Sequence, residues 1–215
     1  SLIWALVLSI FATIFLQELS LRVGLATKMN VAEVISKSIK SIYLNKFLMV
    51  LIISSILIGN AAYEAGNITG ASLGISAILN SESINYIPIF IGLIAFITLY
   101  QGNYKILERF LVLLVLIMSI SFFITAIMTK PNIESLLNGI LSPELNSTNI
   151  MVVLGLVGTT VVPYNLFLHS SLVSEKWGSS NKLKVARFES FFSILIGGLI
   201  SLSIIITAAS VNLSL

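Results

Sequence analysis

What constrains this chain most is where its charges are missing. Leu145 to Ser174 is a run of thirty residues without a Lys, Arg, Asp or Glu. Five other charge-free stretches accompany it, at Ser1–Gln17, Phe47–Tyr63, Ser83–Tyr104, Phe110–Thr129 and Ser190–Leu215. A helix needs about 20 predominantly apolar residues to cross the hydrocarbon core of a bilayer, and these gaps supply that length, the second by continuing past one acid. Six spans are therefore predicted, near 2–25, 46–70, 86–103, 107–128, 150–172 and 188–210. Composition agrees: 57% of the 215 residues are apolar and 10% charged, with a mean hydropathy of +1.04. Soluble domains carry roughly 25% charged residues. The expected fold is an all-α polytopic membrane bundle forming one transmembrane domain over 1–215, with the lipid bilayer as its solvent.

Six crossings alternate the side on which connections emerge, which turns the twelve basic residues into an orientation. Arg22, Lys28, Lys37, Lys40 and Lys46 follow the first span, Lys105 and Arg109 the third, and Lys176, Lys182, Lys184 and Arg187 the fifth. Only Lys130 falls on the opposite side, with Glu82, Glu134 and Glu144. This is the positive-inside pattern, so the basic loops are expected in the cytoplasm and the first span runs inward. The expected location is a cell membrane, crossed several times; the Ile, Asn, Lys and Ser usage points to a low-GC bacterial gene and so to the inner membrane. A chain that enters the membrane at Ser1 and stops just past its last span reads as a fragment, with at least one helix expected before Ser1 and more after Leu215. Two amphipathic cytoplasmic stretches, 31–44 and 180–187, and an external loop, 129–149, complete the layout.

All nine acids are Glu, there is no Asp or Cys, and His169 is the one histidine. That removes disulfides, thiolate metal sites and any plausible acid–base or nucleophile set, so no enzyme and no cofactor are expected. A net charge of +3 over this length offers no basic field for nucleic acid.

The most informative segment is 158–165, Gly-Thr-Thr-Val-Val-Pro-Tyr-Asn, in the middle of the overlong charge-free run. Pro163 has no N–H and clashes with the preceding turn, while Gly155 and Gly158 lower resistance to unwinding. In a span over 150–172 this weak point lies near the bilayer midplane, where non-helical backbone is tolerated only against protein or a hydrated cavity. It is either a proline kink satisfied locally by Thr and Asn, or a discontinuous helix of the kind that exposes carbonyls to a cation in secondary transporters. Asn165 and His169, four apart, share a face below it. Asn60, Glu64 and Asn67 form a polar stripe in the second span, and an ionisable group at such depth is a functional candidate. Gly66, Gly70 and Gly74 form a small-residue face suited to close packing. Glu18 with Arg22, and Arg187 with Glu189, read as interfacial pairs.

Gly158 to Val173, GTTVVPYNLFLHSSLV, resembles the sixth-helix signature of the Nramp divalent-metal transporters, G-A-T-V-M-P-H-N-L-Y-L-H-S. Gly158, Thr160, Val161, Pro163, Asn165, Leu166, Leu168, His169 and Ser170 match it. Leu107-Glu108 after a basic residue is similar to the family's R-K-L-E segment, and Gln17 to Gly24 to its Q-x-L-A-x-R-x-G helix exit. The resemblance covers the chain as family helices two to seven. It implies a LeuT-like fold of two inverted repeats, partly present here. It also implies a divalent cation held between unwound parts of helices one and six, the first lying outside this chain. On this side of the site the family uses a backbone carbonyl, at Thr159, and a Met thioether, at the position of Val162 beside Pro163.

The chain departs from the signature where the chemistry is. A thioether favours transition metals over Mg²⁺ and Ca²⁺, and Val162 offers no ligand, which leaves space for a cation that keeps part of its water. Tyr164 replaces the first histidine of the signature, and Ala61 stands where an Asp usually precedes the acid at Glu64. These departures are similar to the Nramp-related magnesium-transporter branch. The expected function is transport of Mg²⁺ or of Mn²⁺/Fe²⁺ by alternating access, with Thr159, Val162 and Pro163 at the metal and Asn60, Glu64, Asn67, Tyr164, Asn165 and His169 along the ion pathway. The alternative on the same architecture is a sodium-coupled carrier of amino acids or other small organic solutes.

Overall fold

The structure, a computed structural model, describes residues 2–79, 86–102, 104–143, 145–146, 149–178 and 182–212. Glu82 and Glu144 lie outside the described residues. The described chain is helical throughout, with α1 at Ile3–Thr27, α2 at Val31–Ser38, α3 at Ile42–Leu79, α4 at Ile87–Tyr100, α5 at Tyr104–Met128, α6 at Ile133–Leu141, α7 at Ile150–Thr160, α8 at Pro163–Trp177 and α9 at Leu183–Asn212. Five segments are long and apolar enough to cross a membrane: α1, α3, Leu107–Met128 within α5, the pair α7 and α8 taken together, and Leu183–Ala209 within α9. The protein is a multi-pass membrane protein with a helical-bundle architecture.

Several boundaries differ from the sequence expectation, each for a local reason. The third span, expected over 86–103, is the 14-residue α4, about 21 Å at 1.5 Å per residue; it ends at Tyr100, and Gly102 takes a left-handed φ of 70°. In 31–44 the helix stops at Ser38 because Ile39 turns extended (φ −97°, ψ 113°). Of 180–187, the part from Leu183 on is continuous with α9 rather than a separate surface helix. The loop 129–149 contains α6, whose amino end is capped by Asn132 Oδ1 accepting from the Glu134 and Ser135 amides at 2.9 and 3.3 Å.

The chain divides into two compact units, Ser1–Ile53 with Ser119–Leu215, and Ser54–Met118. In the first, α1 is the central helix, packing against α2, α6, α7, α8 and α9, and α2 also rests on α8. The buried side of α1 combines Leu6, Leu21 and Leu25 with Ser9, Thr13 and Ser20. Ser9 donates to the Ala5 carbonyl at 2.6 Å and Thr13 to the Ser9 carbonyl at 2.8 Å, so small polar side chains are buried without an unmet donor. At the other end Leu21, Leu25, Val173 and Ala186 form a core that Trp177 and Leu183 cover. α2 is started by a capping box: Asn30 Oδ1 accepts from the Glu33 amide at 2.9 Å and Glu33 Oε2 from the Asn30 amide at 3.3 Å.

The second unit holds α3 from Ser54, α4, and α5 as far as Met118. Apart from the immediate chain neighbours and the backbone of the same helix, no described residue lies within 4 Å of where a Cβ would stand at Gly66, Gly70 or Gly74. The close packing expected at that glycine face is therefore not made by the described chain.

Candidate functional site

The helix interruption falls inside the segment that composition singled out, and it is short. Gly158, Thr159 and Thr160 remain helical, and only Val161 and Val162 separate α7 from α8. The Val161 amide closes the last turn of α7 on the Val157 carbonyl at 2.8 Å. Val161 then leaves the helical region (φ −96°, ψ 77°) and Val162 is extended (φ −90°, ψ 124°). Pro163 opens α8 in its first turn, where a residue without an N–H and with a preset φ is most easily accommodated. The same missing N–H removes the α-helical donor that the Thr159 carbonyl, four residues earlier, would otherwise have. Both threonine hydroxyls turn back on Leu156, donating to its carbonyl at 3.1 Å from Thr159 and 2.7 Å from Thr160. Such back-bonding loosens a helix end.

α1 lies directly behind the break. The Thr13 hydroxyl, shared with Ser9, stands 3.3 Å from the Thr160 carbonyl oxygen. Val162 is buried, 6% exposed; Pro163 is exposed, and Tyr164, Asn165 and His169 are half-buried. One turn lower, Ser20 donates to the Leu166 carbonyl, and fully buried Ser170 both donates to the Phe167 carbonyl at 2.8 Å and accepts the Val31 amide at 3.1 Å. Gly24 makes this approach possible: a Cβ there would collide with the Ser170 carbonyl oxygen. None of Thr13, Ser20 and Gly24 stood out in the sequence as part of the site, though small and polar residues in an otherwise apolar span were a usable signal.

His169 Nε2 lies 3.4 Å from the Ser190 hydroxyl of α9. The two share a cleft of about 270 Å³ with Gln17, Lys176, Glu189 and Ser193. Of the two ion pairs expected near it, Glu18–Arg22 forms and Arg187–Glu189 does not. Arg187 bonds not to Glu189, two residues away on the same helix, but to Glu18 of α1 at 2.6 Å, and Glu18 also receives Arg22 at 2.7 Å. Glu189 pairs with Lys176. Residues two apart on a helix do not face one another, so cross-helix partners win.

In the second unit, Asn60, Glu64 and Asn67 follow one another along α3 and are all exposed. Among the described residues no three His, Cys, Asp or Glu side chains are grouped as a metal site. Any ligands this chain offers at the break are backbone carbonyls and neutral side chains.

Comparison with known proteins decides the family. The family described as Nramp, natural resistance-associated macrophage protein-like, matches residues 1–214. The chain belongs to the Nramp family. Among its relatives, metal transporter Nramp4 of Arabidopsis thaliana is 32% identical over 216 residues, covering 96% of this chain and 40% of the relative. Metal transporter Nramp2 of Populus trichocarpa is 31% identical over 204 residues, 90% of this chain and 36% of the relative. Human natural resistance-associated macrophage protein 2 is 27% identical over 204 residues, 90% and 34% respectively. The Nramp chain thus spans between a third and two-fifths of the length of these relatives. Its nine signature matches, Gly158 to Ser170, straddle the two-residue break at Val161–Val162.

Proposed function

We propose that this Nramp chain forms part of a divalent-cation transporter that works by alternating access, with the segment 158–165 supplying one side of the ion site. The observation that carries the reading is the interruption of the helix at Val161–Val162 within the family signature, because an unwound segment is how a membrane helix presents oxygens to a cation. Thr159 offers its carbonyl, Val162 shapes the ion's space, and Pro163 keeps the helix from closing. Tyr164, Asn165 and His169 line the inner path, and Asn60, Glu64 and Asn67 provide a second polar stripe. The names of two relatives, metal transporters, support a metal ion over an organic solute. The basic loops face the cytoplasm in this reading.

The cargo is nearer to Mg²⁺ than to Mn²⁺ or Fe²⁺. A buried valine at 162 cannot act as a soft ligand, and without one an oxygen-lined site loses its discrimination against hard, hydrated cations. Uptake of Mg²⁺ and Mn²⁺ into proteoliposomes by the full-length protein tests this. Transport of neither ion sinks the proposal. Val162→Met should shift the ratio toward Mn²⁺, and an unchanged ratio refutes the softness argument.

A further inference from the structure

α1 and α9 run antiparallel, with Glu18 against Arg187 at one end, and the groove between them changes character along its length. At the charged end it opens as a cavity of about 380 Å³ whose lining includes Glu18, Lys184, Arg187 and Phe188. Next to it, sharing Ile14 and Phe191, lies a second cavity of about 310 Å³ lined solely by apolar residues and Gly198. On α9 the lining residues Arg187, Phe191, Leu195, Gly198 and Leu202 recur at intervals of three and four, so they form one face. From Arg187 to Leu199 the helix rises about 18 Å, close to the roughly 15 Å of hydrocarbon that half a bilayer provides.

The charged mouth is net positive. Glu18 is bracketed by Arg22 and Arg187, each through its Nε atom, and one carboxylate oxygen does not exhaust a guanidinium that carries five donors. Lys184 adds a further cation and has no acid within ion-pair distance among the described residues. A cationic mouth leading into a wholly apolar channel of leaflet depth is complementary to an amphiphile with an anionic head.

We propose that this groove is a binding site for an anionic glycerophospholipid of the surrounding membrane. Its phosphate sits at Lys184 and Arg187 and one acyl chain lies along Phe11, Ile14, Leu195 and Leu199. The site is separate from the helix break and does not depend on which ion is carried.

Native mass spectrometry of the full-length protein in detergent, titrated with phosphatidylglycerol or phosphatidylcholine, tests it. The expected result is retention of one phosphatidylglycerol, no comparable retention of phosphatidylcholine, and no displacement by millimolar inorganic phosphate. Lys184→Gln removes one charge from an exposed position and should weaken phosphatidylglycerol retention about fivefold. Leu199→Trp, which fills the apolar channel and leaves the mouth intact, should weaken retention of the same lipid. Equal retention of both lipids, competition by free phosphate, indifference to both substitutions, or no retained lipid because another helix of the full chain fills the groove would each overturn the proposal.

Discussion

Replacing Gly24 with Ala tests the packing that holds α1 against the helix break. The added Cβ would overlap the Ser170 carbonyl oxygen and stand 3.0 Å from its carbonyl carbon and 3.1 Å from its Cα. All three are backbone atoms inside α8, so no rotamer change relieves the overlap. Since carbon atoms pack best at about 3.5–4.0 Å, α1 and α8 must move apart by up to about 1 Å. That displacement pulls on the Ser20 bond to the Leu166 carbonyl and on the Val31 amide bond to Ser170. Overpacking of this kind costs about 1–3 kcal/mol, and a weakened buried hydrogen bond adds about 1 kcal/mol. Ala in place of Gly within a helix returns about 1 kcal/mol. Gly24→Ala should therefore destabilise the full-length protein by about 1–3 kcal/mol, read from reversible unfolding in mixed micelles. A neutral change, or stabilisation by the helix-propensity gain of about 1 kcal/mol, would refute the close approach of these two backbones.

Three further outcomes follow from other contacts. Glu18→Gln leaves Arg22 and Arg187 facing a neutral amide; with those side chains 54% and 47% exposed, the loss should stay within about 1 kcal/mol and shrink further at high salt, which unfolding at two ionic strengths would show. Asn30→Ala removes the capping box of α2 and should lower local protection of amides 31–38 by about 1 kcal/mol in hydrogen exchange; unchanged protection would mean that α2 is held by its packing on α8 alone. Pro163→Ala restores a backbone donor at the break, and reconstituted cation uptake should fall while the stability of the protein does not.

How much of this could be read in advance depended on whether a feature was local. The break at Val161–Val162 was legible because proline chemistry acts on its own turn, and the charge gaps were legible because bilayer thickness imposes a length. The width of the break was not: Gly158 to Thr160 stay helical, with the Thr13 hydroxyl of α1 against the Thr160 carbonyl, a tertiary contact that outweighs weak propensity. Close packing of small residues was expected at Gly66, Gly70 and Gly74, where the spacing is regular, but the demanding contact is at Gly24, an isolated glycine whose importance comes from a helix about 146 positions away. Arg187 was likewise assigned to the acid nearest in sequence, whereas helix geometry turned it toward Glu18. α6 escaped notice because nine residues carry too little periodicity to stand out from a polar connection.

The shortness of the break has a mechanical consequence. Two non-helical residues are too few to act as a slack tether, so any tilt of α8 would pivot beside Val162. Its fifteen residues make an arm of about 22 Å, and every 10° of tilt at the pivot would sweep the Trp177 end through about 4 Å. Ser170, halfway along, carries the Val31 amide with it. The amphipathic α2 is thereby coupled to the arm, so a tilt of α8 would carry α2 with it.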